Sequence, residues 1–162
     1  MKRKSRKPLK VEMPPFYPGA PPGILHPVLK KYFGYCLTKA AIRVKAKFDE
    51  RFAEHGMIGP QLGMLVLVKE EGPITQNELG NYMAIDKATM VRLVDSLEEK
   101  KLLTRTQSKE DRRANHLQIT KAGEQMIVKL NEERKKCEAE VLGPLTQAER
   151  DQLFALLEKL LA

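Results

Sequence analysis

Residues 74–120 read ITQNELGNYMAIDKATMVRLVDSLEEKKLLTRTQSKEDRRANHLQIT, and this stretch decides the fold. Its pattern predicts a short helix, a tight turn, a longer helix, and then two strands joined by a charged loop. Thr75 followed by Glu78 is a capping-box pair, whose hydroxyl and carboxylate satisfy free backbone amides at a helix start. Asp86 is a favoured N-cap residue for the second helix.

The second helix combines an apolar face with a basic beginning. Its apolar residues recur at helical spacing and predict a buried stripe, made of Met90, Val91, Leu93, Val94 and Leu97. A recognition helix inserts its N-terminal end into the major groove of DNA. Arginine can pair with guanine there, and a methyl group can meet thymine. The predicted major-groove contacts are Lys87, Ala88, Thr89 and Arg92.

The charged loop and the first helix supply candidate contacts to the phosphate backbone of DNA. Residues 102–107 and 117–119 are predicted strands, and the tip between them is too charged to pack. Adjacent arginines on such a tip, beside a helix-turn-helix, would lie over phosphates or enter a minor groove. A merely solvated loop is the alternative. Thr75 and Gln76 lie where helix N-terminal amides would hold a phosphate.

The segments EEGPITQNELGNYMAIDKATMVRLVDSLEEKKLLTR and DRRANHLQIT resemble the MarR family of winged-helix transcription regulators. The second segment matches the family's D-x-R wing signature and the L-x-L-T that follows it. A weaker likeness extends from about Leu29 to the C-terminus. The resemblance implies a homodimer on a palindromic operator, acting as a repressor that a small ligand relieves. It also implies that Arg113 enters the minor groove, with Asp111 orienting it; Arg112 is a candidate phosphate contact.

Two positions depart from the family pattern. A glycine commonly precedes the apolar residue before the recognition-helix cap, but Ala84 stands there. The glycine usual after the recognition helix is replaced by Lys101. If either site needs a positive φ, Ala84 or Lys101 adopts it at an energetic cost.

Composition favours a polyanionic partner, because the 162 residues carry a formal net charge of +8. The longest apolar run, residues 64–68, is too short to span a bilayer, and the basic start lacks the apolar core of a signal peptide. Two cysteines without CxxC spacing indicate a reducing cytoplasm. The three histidines lack metal-ligand spacing, and no nucleotide-binding or nucleophile motif occurs. We therefore predict no enzyme activity, cofactor or metal.

The predicted fold class is mostly α with a small β-wing: a winged helix-turn-helix lobe plus a helical dimerisation domain. The lobe is residues 59–120, and the dimerisation region is residues 28–58 and 121–162, beginning with one long helix over 28–55. Residues 1–27 form a basic, proline-rich tail, which is either solvated, an arm on DNA, or a strap across the dimer.

The leading hypothesis is therefore a dimeric, sequence-specific transcription regulator. The alternatives are a winged-helix protein-interaction adaptor, a nonspecific DNA-binding protein, or a thiol-based redox sensor that uses Cys36. A cysteine between Phe33 and Leu37 would more often be an inert core residue. Effector-binding candidates are Tyr32, Tyr35 and Arg43.

Overall fold

The structure, a computed structural model, describes residues 26–107 and 115–162. The chain divides after Ile42 into two compact units. The elements in chain order are a 3-10 turn Pro27–Lys31, α1 Phe33–Ala53, α2 Gly59–Glu70, β1 Ile74–Thr75, α3 Gln76–Met83, α4 Lys87–Glu99, β2 Leu103–Gln107, β3 Asn115–Ile119, α5 Lys121–Val141 and α6 Gln147–Leu161. The predicted class, mostly α with a small β-wing, is confirmed.

The first unit begins with the 3-10 turn. The Nδ1 atom of His26 accepts the backbone N–H of Val28 at 3.3 Å and caps this turn. Tyr32 then has an extended backbone (φ −97°, ψ 110°), which interrupts the helical conformation. The prediction of one helix over residues 28–55 is therefore wrong at its start, because α1 begins only at Phe33.

In the second unit, one hydrophobic core joins α2, α3, α4, the sheet and α5. Its fully buried side chains include Met64, Leu65, Leu79, Met90, Val94, Leu97, Leu103, Leu117 and Leu130. The apolar stripe predicted for α4 is buried at three positions and half-buried at Leu93. It is wrong for Val91, which is 37% exposed. Each helical residue turns by about 100°, so the neighbour of buried Met90 faces away from the core.

The sheet has the order β1-β3-β2 and is antiparallel throughout. Strand β1 was not predicted; it has only two residues and pairs Ile74 with Leu117 and Thr75 with His116. The wing strands run in register from Leu103–Ile119 to Gln107–Asn115, so the second strand begins two residues earlier than predicted. Because β1 leads directly into α3, the central wing strand is tied to the start of the helix-turn-helix.

Both unusual turns use left-handed backbone, as the missing glycines suggested. Ala84 has φ 50°, and Lys101 has φ 58°. Each non-glycine residue in this region costs about 1–2 kcal/mol. After Ala84 the chain closes the end of α3, because the N–H of Ile85 donates to the carbonyl of Gly80 at 3.0 Å. The tight turn between α3 and α4 therefore forms without its usual glycine.

The last two helices each begin after a threonine N-cap. The hydroxyl of Thr120 accepts the N–H of Gly123 at 3.0 Å, and Thr146 with Glu149 forms a capping box. Helix α5 buries an apolar face that includes Ile127 and Cys137. Helix α6 has no fully buried residue, and its exposed apolar side chains are Leu153, Phe154, Leu156, Leu160 and Leu161.

Helix α5 is also joined by charge to the part of α1 that lies in the second unit. Arg51 contacts Glu133 at 3.3 Å and Glu140 more closely, and the hydrogen bond that it donates to Glu140 is the main reason that the pKa of Arg51 is raised. Within residues 26–107 and 115–162, no helix has both the length and the apolarity to cross a bilayer.

Candidate nucleic-acid interface

The start of α3 is built by the predicted capping box. The hydroxyl of Thr75 accepts the N–H of Glu78 at 3.2 Å, and the carboxylate of Glu78 accepts the N–H of Thr75 at 2.8 Å. The Thr75 hydroxyl also donates to that carboxylate, and these bonds lower the pKa of Glu78, with the hydroxyl contributing most. Helix α3 thereby starts at Gln76 in a fixed geometry, with its first amides directed along the helix axis.

The start of α4 is fixed in a similar way by Asp86. Its Oδ1 atom accepts the N–H of Thr89 at 3.0 Å, and this bond, followed by that to the Thr89 hydroxyl, lowers the pKa of Asp86. The predicted role of Asp86 as a cap is confirmed. The capped end presents exposed Lys87, Ala88 and Arg92.

Thr89 is half-buried, and its hydroxyl accepts a 3.3 Å hydrogen bond from Arg92 Nη2. That bond directs the guanidinium toward the beginning of α4. A shallow groove runs between α3 and α4, and Gln76 and Lys87 lie on its two sides. The structure therefore brings one predicted contact of each helix, Gln76 and Lys87, to the same groove.

The other half of α4 is held by the protein itself. The side chain of Gln61, only 3% exposed, donates to the Ser96 hydroxyl at 3.2 Å, and its oxygen accepts the N–H of Ile58. Lys100 donates to the same hydroxyl at 2.8 Å. The Gln61 bond fixes the last turns of α4 against the start of α2, whereas Lys87, Ala88 and Arg92 in its first turns are exposed.

Arg105 on β2 makes a second set of contacts with α4, which the sequence did not suggest. Its guanidinium lies 2.9 Å from Glu98 and 2.5 Å from Asp95, and it also donates to Gln76 at 3.4 Å. From the sequence alone, a basic residue in a strand next to a recognition helix would be interpreted as a DNA contact. Only the fold shows that two carboxylates surround it.

Asp111, Arg112 and Arg113, the predicted wing-tip contacts, lie outside the residues that the structure describes. The strands that carry the tip are in place on either side, ending at Gln107 and resuming at Asn115.

The two cysteines lie in different surroundings. Cys137 is fully buried, its thiol donates to the carbonyl of Lys47 at 3.4 Å, and burial raises its pKa. Cys36 is half-buried, and its thiol lies 3.1 Å from the carbonyl of Lys30. The expectation that Cys36 sits in an apolar core is wrong in the single chain, because the flanking Phe33 and Leu37 are exposed.

The effector candidates are surface groups. Tyr32 is exposed with the ammonium of Lys31 5.5 Å from its ring centroid, and half-buried Tyr35 has Lys39 in the same relation at 5.7 Å. Arg43, in the second unit, is exposed. In the part of the chain that the structure describes, no three His, Cys, Asp or Glu side chains converge as metal ligands.

Comparison with known proteins supports the winged-helix assignment. The MarR family model matches residues 55–114. A proposed transcriptional regulatory protein for the hcr operon of Thauera aromatica is 28% identical over 138 residues, which cover 85% of this chain and 83% of that protein. Its similarity therefore extends through the flanking helices as well as the lobe.

Solved structures agree. A proposed transcriptional regulator from Pseudomonas aeruginosa is 29% identical with a TM-score of 0.75, covering 82% of this chain and 98% of that one. The transcriptional repressor CouR, bound to a 23-mer DNA duplex, is 25% identical with a TM-score of 0.79, covering 86% and 99%. These relatives are transcription regulators rather than enzymes. The MarR family match thus lies on the capped helix-turn-helix and the β-wing, and over most of its length the chain is similar to transcription regulators.

Proposed function

We propose that this protein is a dimeric, sequence-specific DNA-binding regulator in which the first half of α4 enters the major groove. The observation that carries the proposal is the asymmetry of α4. Lys87, Ala88 and Arg92 are exposed on its capped first turns, whereas Ser96 and Glu98 in its last turns are bonded to other elements. An anchored helix with a free, basic N-terminal end fits the geometry of groove recognition.

The phosphate contacts proposed beside it use the start of α3 and the wing. The amides at Thr75 and Gln76 suit a phosphate, because the N-terminal end of a helix carries partial positive charge. For the wing tip the proposal rests on sequence: Arg113 enters the minor groove, Asp111 orients it, and Arg112 contacts a phosphate.

The dimer is proposed from apolar surface that a single chain leaves open. Phe154, Leu156 and Leu160 are each at least half exposed on α6, and the first unit exposes Phe33 and Tyr32 similarly. Large apolar side chains clustered on one helix mark an interface. A second copy would place two α4 helices in successive major grooves, about 34–36 Å apart on a palindrome.

Repression and its relief by a small molecule are the finer part of the proposal. CouR, the DNA-bound relative, is a transcriptional repressor. A ligand that binds one spacing of the two α4 helices better than another would shift the population between them. Tyr32, Tyr35 and Arg43 remain the candidate contacts.

Both cysteines lack CxxC spacing, which fits a reducing compartment such as the cytoplasm.

The test is fluorescence-anisotropy titration of a selected palindrome and of a scrambled duplex at several salt concentrations. For the wild-type protein, the logarithm of the association constant should fall linearly with the logarithm of the salt concentration, with a slope of about −0.9 per phosphate neutralised. Arg92→Ala should weaken binding to the palindrome about 10- to 100-fold and affect the scrambled duplex much less. Arg113→Ala should also weaken it without unfolding the chain. Arg134→Ala, which removes an arginine paired with Glu138 on α5, is the control.

Equal affinity of the wild-type protein for both duplexes would contradict the proposal. That result would favour the protein-interaction adaptor or a nonspecific DNA-binding protein.

A further inference from the structure

The side chain of Arg105 is enclosed by polar groups from two helices, α3 and α4. Its side chain is 23% exposed, and it projects from β2 toward α4. Nη1 donates to Glu98 at 2.9 Å and Nη2 to Asp95 at 2.5 Å. Nη2 also reaches the Oε1 atom of Gln76, the first residue of α3, at 3.4 Å. The guanidinium of Arg105, on β2, therefore contacts both helices of the helix-turn-helix, α3 and α4.

The charge of Arg105 is already matched within the protein. Two carboxylates, from Asp95 and Glu98, face one guanidinium, so the cluster has a formal charge of −1. A cation held in this way has little left to offer a phosphate. Its surroundings differ from those of Lys87 and Arg92 on the first turns of α4, which form no salt bridge among the described residues.

The shape of the guanidinium suits a connector. Its five donors lie in one plane at fixed angles, so several acceptors must take fixed positions around it. It can only donate, and therefore the oxygen of the Gln76 amide faces inward and its NH₂ group faces away. Lysine would keep the charge at position 105 but could not hold all three partners in one plane.

We propose that Arg105 is a positioning residue for DNA recognition: it fixes β2 and the start of α3 against α4 and does not itself contact DNA. This inference rests on the proposed DNA binding. Each element that it joins carries or adjoins a proposed contact: Gln76 on α3, Arg92 on α4 and the wing tip after Gln107. Specificity depends on these contacts reaching DNA in one arrangement, whereas nonspecific attraction depends mainly on charge.

The experiment compares specificity ratios, defined as affinity for the palindrome selected by the wild-type protein divided by affinity for a scrambled duplex. Arg105→Lys keeps the charge and should lower the ratio about tenfold, with little change in nonspecific affinity or salt slope. Arg51→Lys is the matched control, because Arg51 also bridges two carboxylates between helices but lies outside the proposed interface. Its ratio should equal that of the wild type.

The double variant Asp95→Asn with Glu98→Gln gives the sharpest contrast. It raises the net charge by two and frees Arg105 without changing side-chain size. If Arg105 is a positioning residue, the specificity ratio falls while nonspecific affinity rises. If Arg105 is a restrained DNA cation, affinity for the palindrome rises at least as much as affinity for the scrambled duplex, so the ratio does not fall and the inference is overturned.

Thermal unfolding establishes that each variant is folded, and the double variant serves if Arg105→Lys does not fold. A wild-type ratio near one would overturn the proposed function and this inference together. A high wild-type ratio that Arg105→Lys retains would overturn this inference alone.

Discussion

The carbonyl oxygen of Leu102 occupies the space where a side chain on Gly123 would begin. A Cβ atom built on Gly123 would lie 2.1 Å from that oxygen and 2.8 Å from the side chain of Ile119. The same carbonyl accepts hydrogen bonds from the N–H and the hydroxyl of Thr120, each at 3.1 Å. The chain after α4, the end of the wing and the start of α5 therefore meet where only glycine fits.

Gly123→Ala should lower the free energy of unfolding by about 1–3 kcal/mol or more, because the backbone of Leu102 must move to admit the methyl group. Chemical denaturation measures this change. Gln125→Ala is the control, since it alters an exposed position of the same helix and should be nearly neutral. An unchanged stability of Gly123→Ala would show that α5 and the turn at Leu102 do not pack this closely.

Asp86 should contribute to stability only above a defined pH. Its pKa is lowered from the ordinary 3.8 in the folded protein, chiefly by the N–H of Thr89. A group with a lowered folded pKa stabilises the fold above its unfolded pKa and loses this contribution as the pH falls through the folded value. Asp86→Ala should therefore have a lower Tm than wild type at pH 7, and this difference should shrink below pH 3.8.

Asp86→Asn separates the cap from the charge. Asparagine caps a helix about as well as aspartate, so its Tm at pH 7 should stay close to that of wild type. The acid-induced fall in Tm should be shallower for Asp86→Asn, because one titrating group is gone. A Tm difference between Asp86→Ala and wild type that is constant from pH 7 to pH 3 would contradict this assignment.

The sequence predicted contacts between residues that are close together in the chain, but not contacts between residues that are far apart in it. The caps at Thr75, Asp86, Thr120 and Thr146 were predictable because each bonds an amide three residues away. The strain at Ala84 followed from a missing glycine. Such signals are local, and they locate elements well.

The connections between elements were not predictable in this way. Arg105 meets Gln76 across 29 positions, and Gln61 meets Ser96 across 35. No local pattern marks either pair, and position 105 looks like one more basic residue of a DNA-binding lobe. The two-residue strand β1 was missed because it is too short to show an alternating pattern.

A single charge on the apolar face of α6 should separate the proposed dimer. Leu156→Glu places a carboxylate at a position that is 50% exposed in one chain and would be buried between two. Light scattering after size exclusion should give twice the mass of one chain for wild type and one chain mass for Leu156→Glu. Gln152→Glu adds the same charge at an exposed polar position of α6 and should stay dimeric. A monomeric wild type would contradict the dimer.

The cysteines should differ sharply in reactivity toward a maleimide. Cys137 is buried and its pKa is raised by burial, so the native protein should label there only after unfolding. Any label that the native protein takes up should therefore be on Cys36, and Cys36→Ser should remove it. Operator binding by Cys36→Ser that resists peroxide, when wild-type binding does not, would favour the thiol-based alternative; equal behaviour of both proteins would argue against it.

The most direct test of the central claim is selection of duplexes from a random pool by the full-length protein. Two capped α4 helices on a twofold dimer predict an enriched palindrome, with half-site centres about 10–10.5 base pairs apart. The Arg92→Ala variant should select a sequence relaxed at one position in each half-site. If no sequence is enriched in the pool, or if the enriched sequence lacks twofold symmetry, the result would contradict the claim that paired α4 helices read DNA.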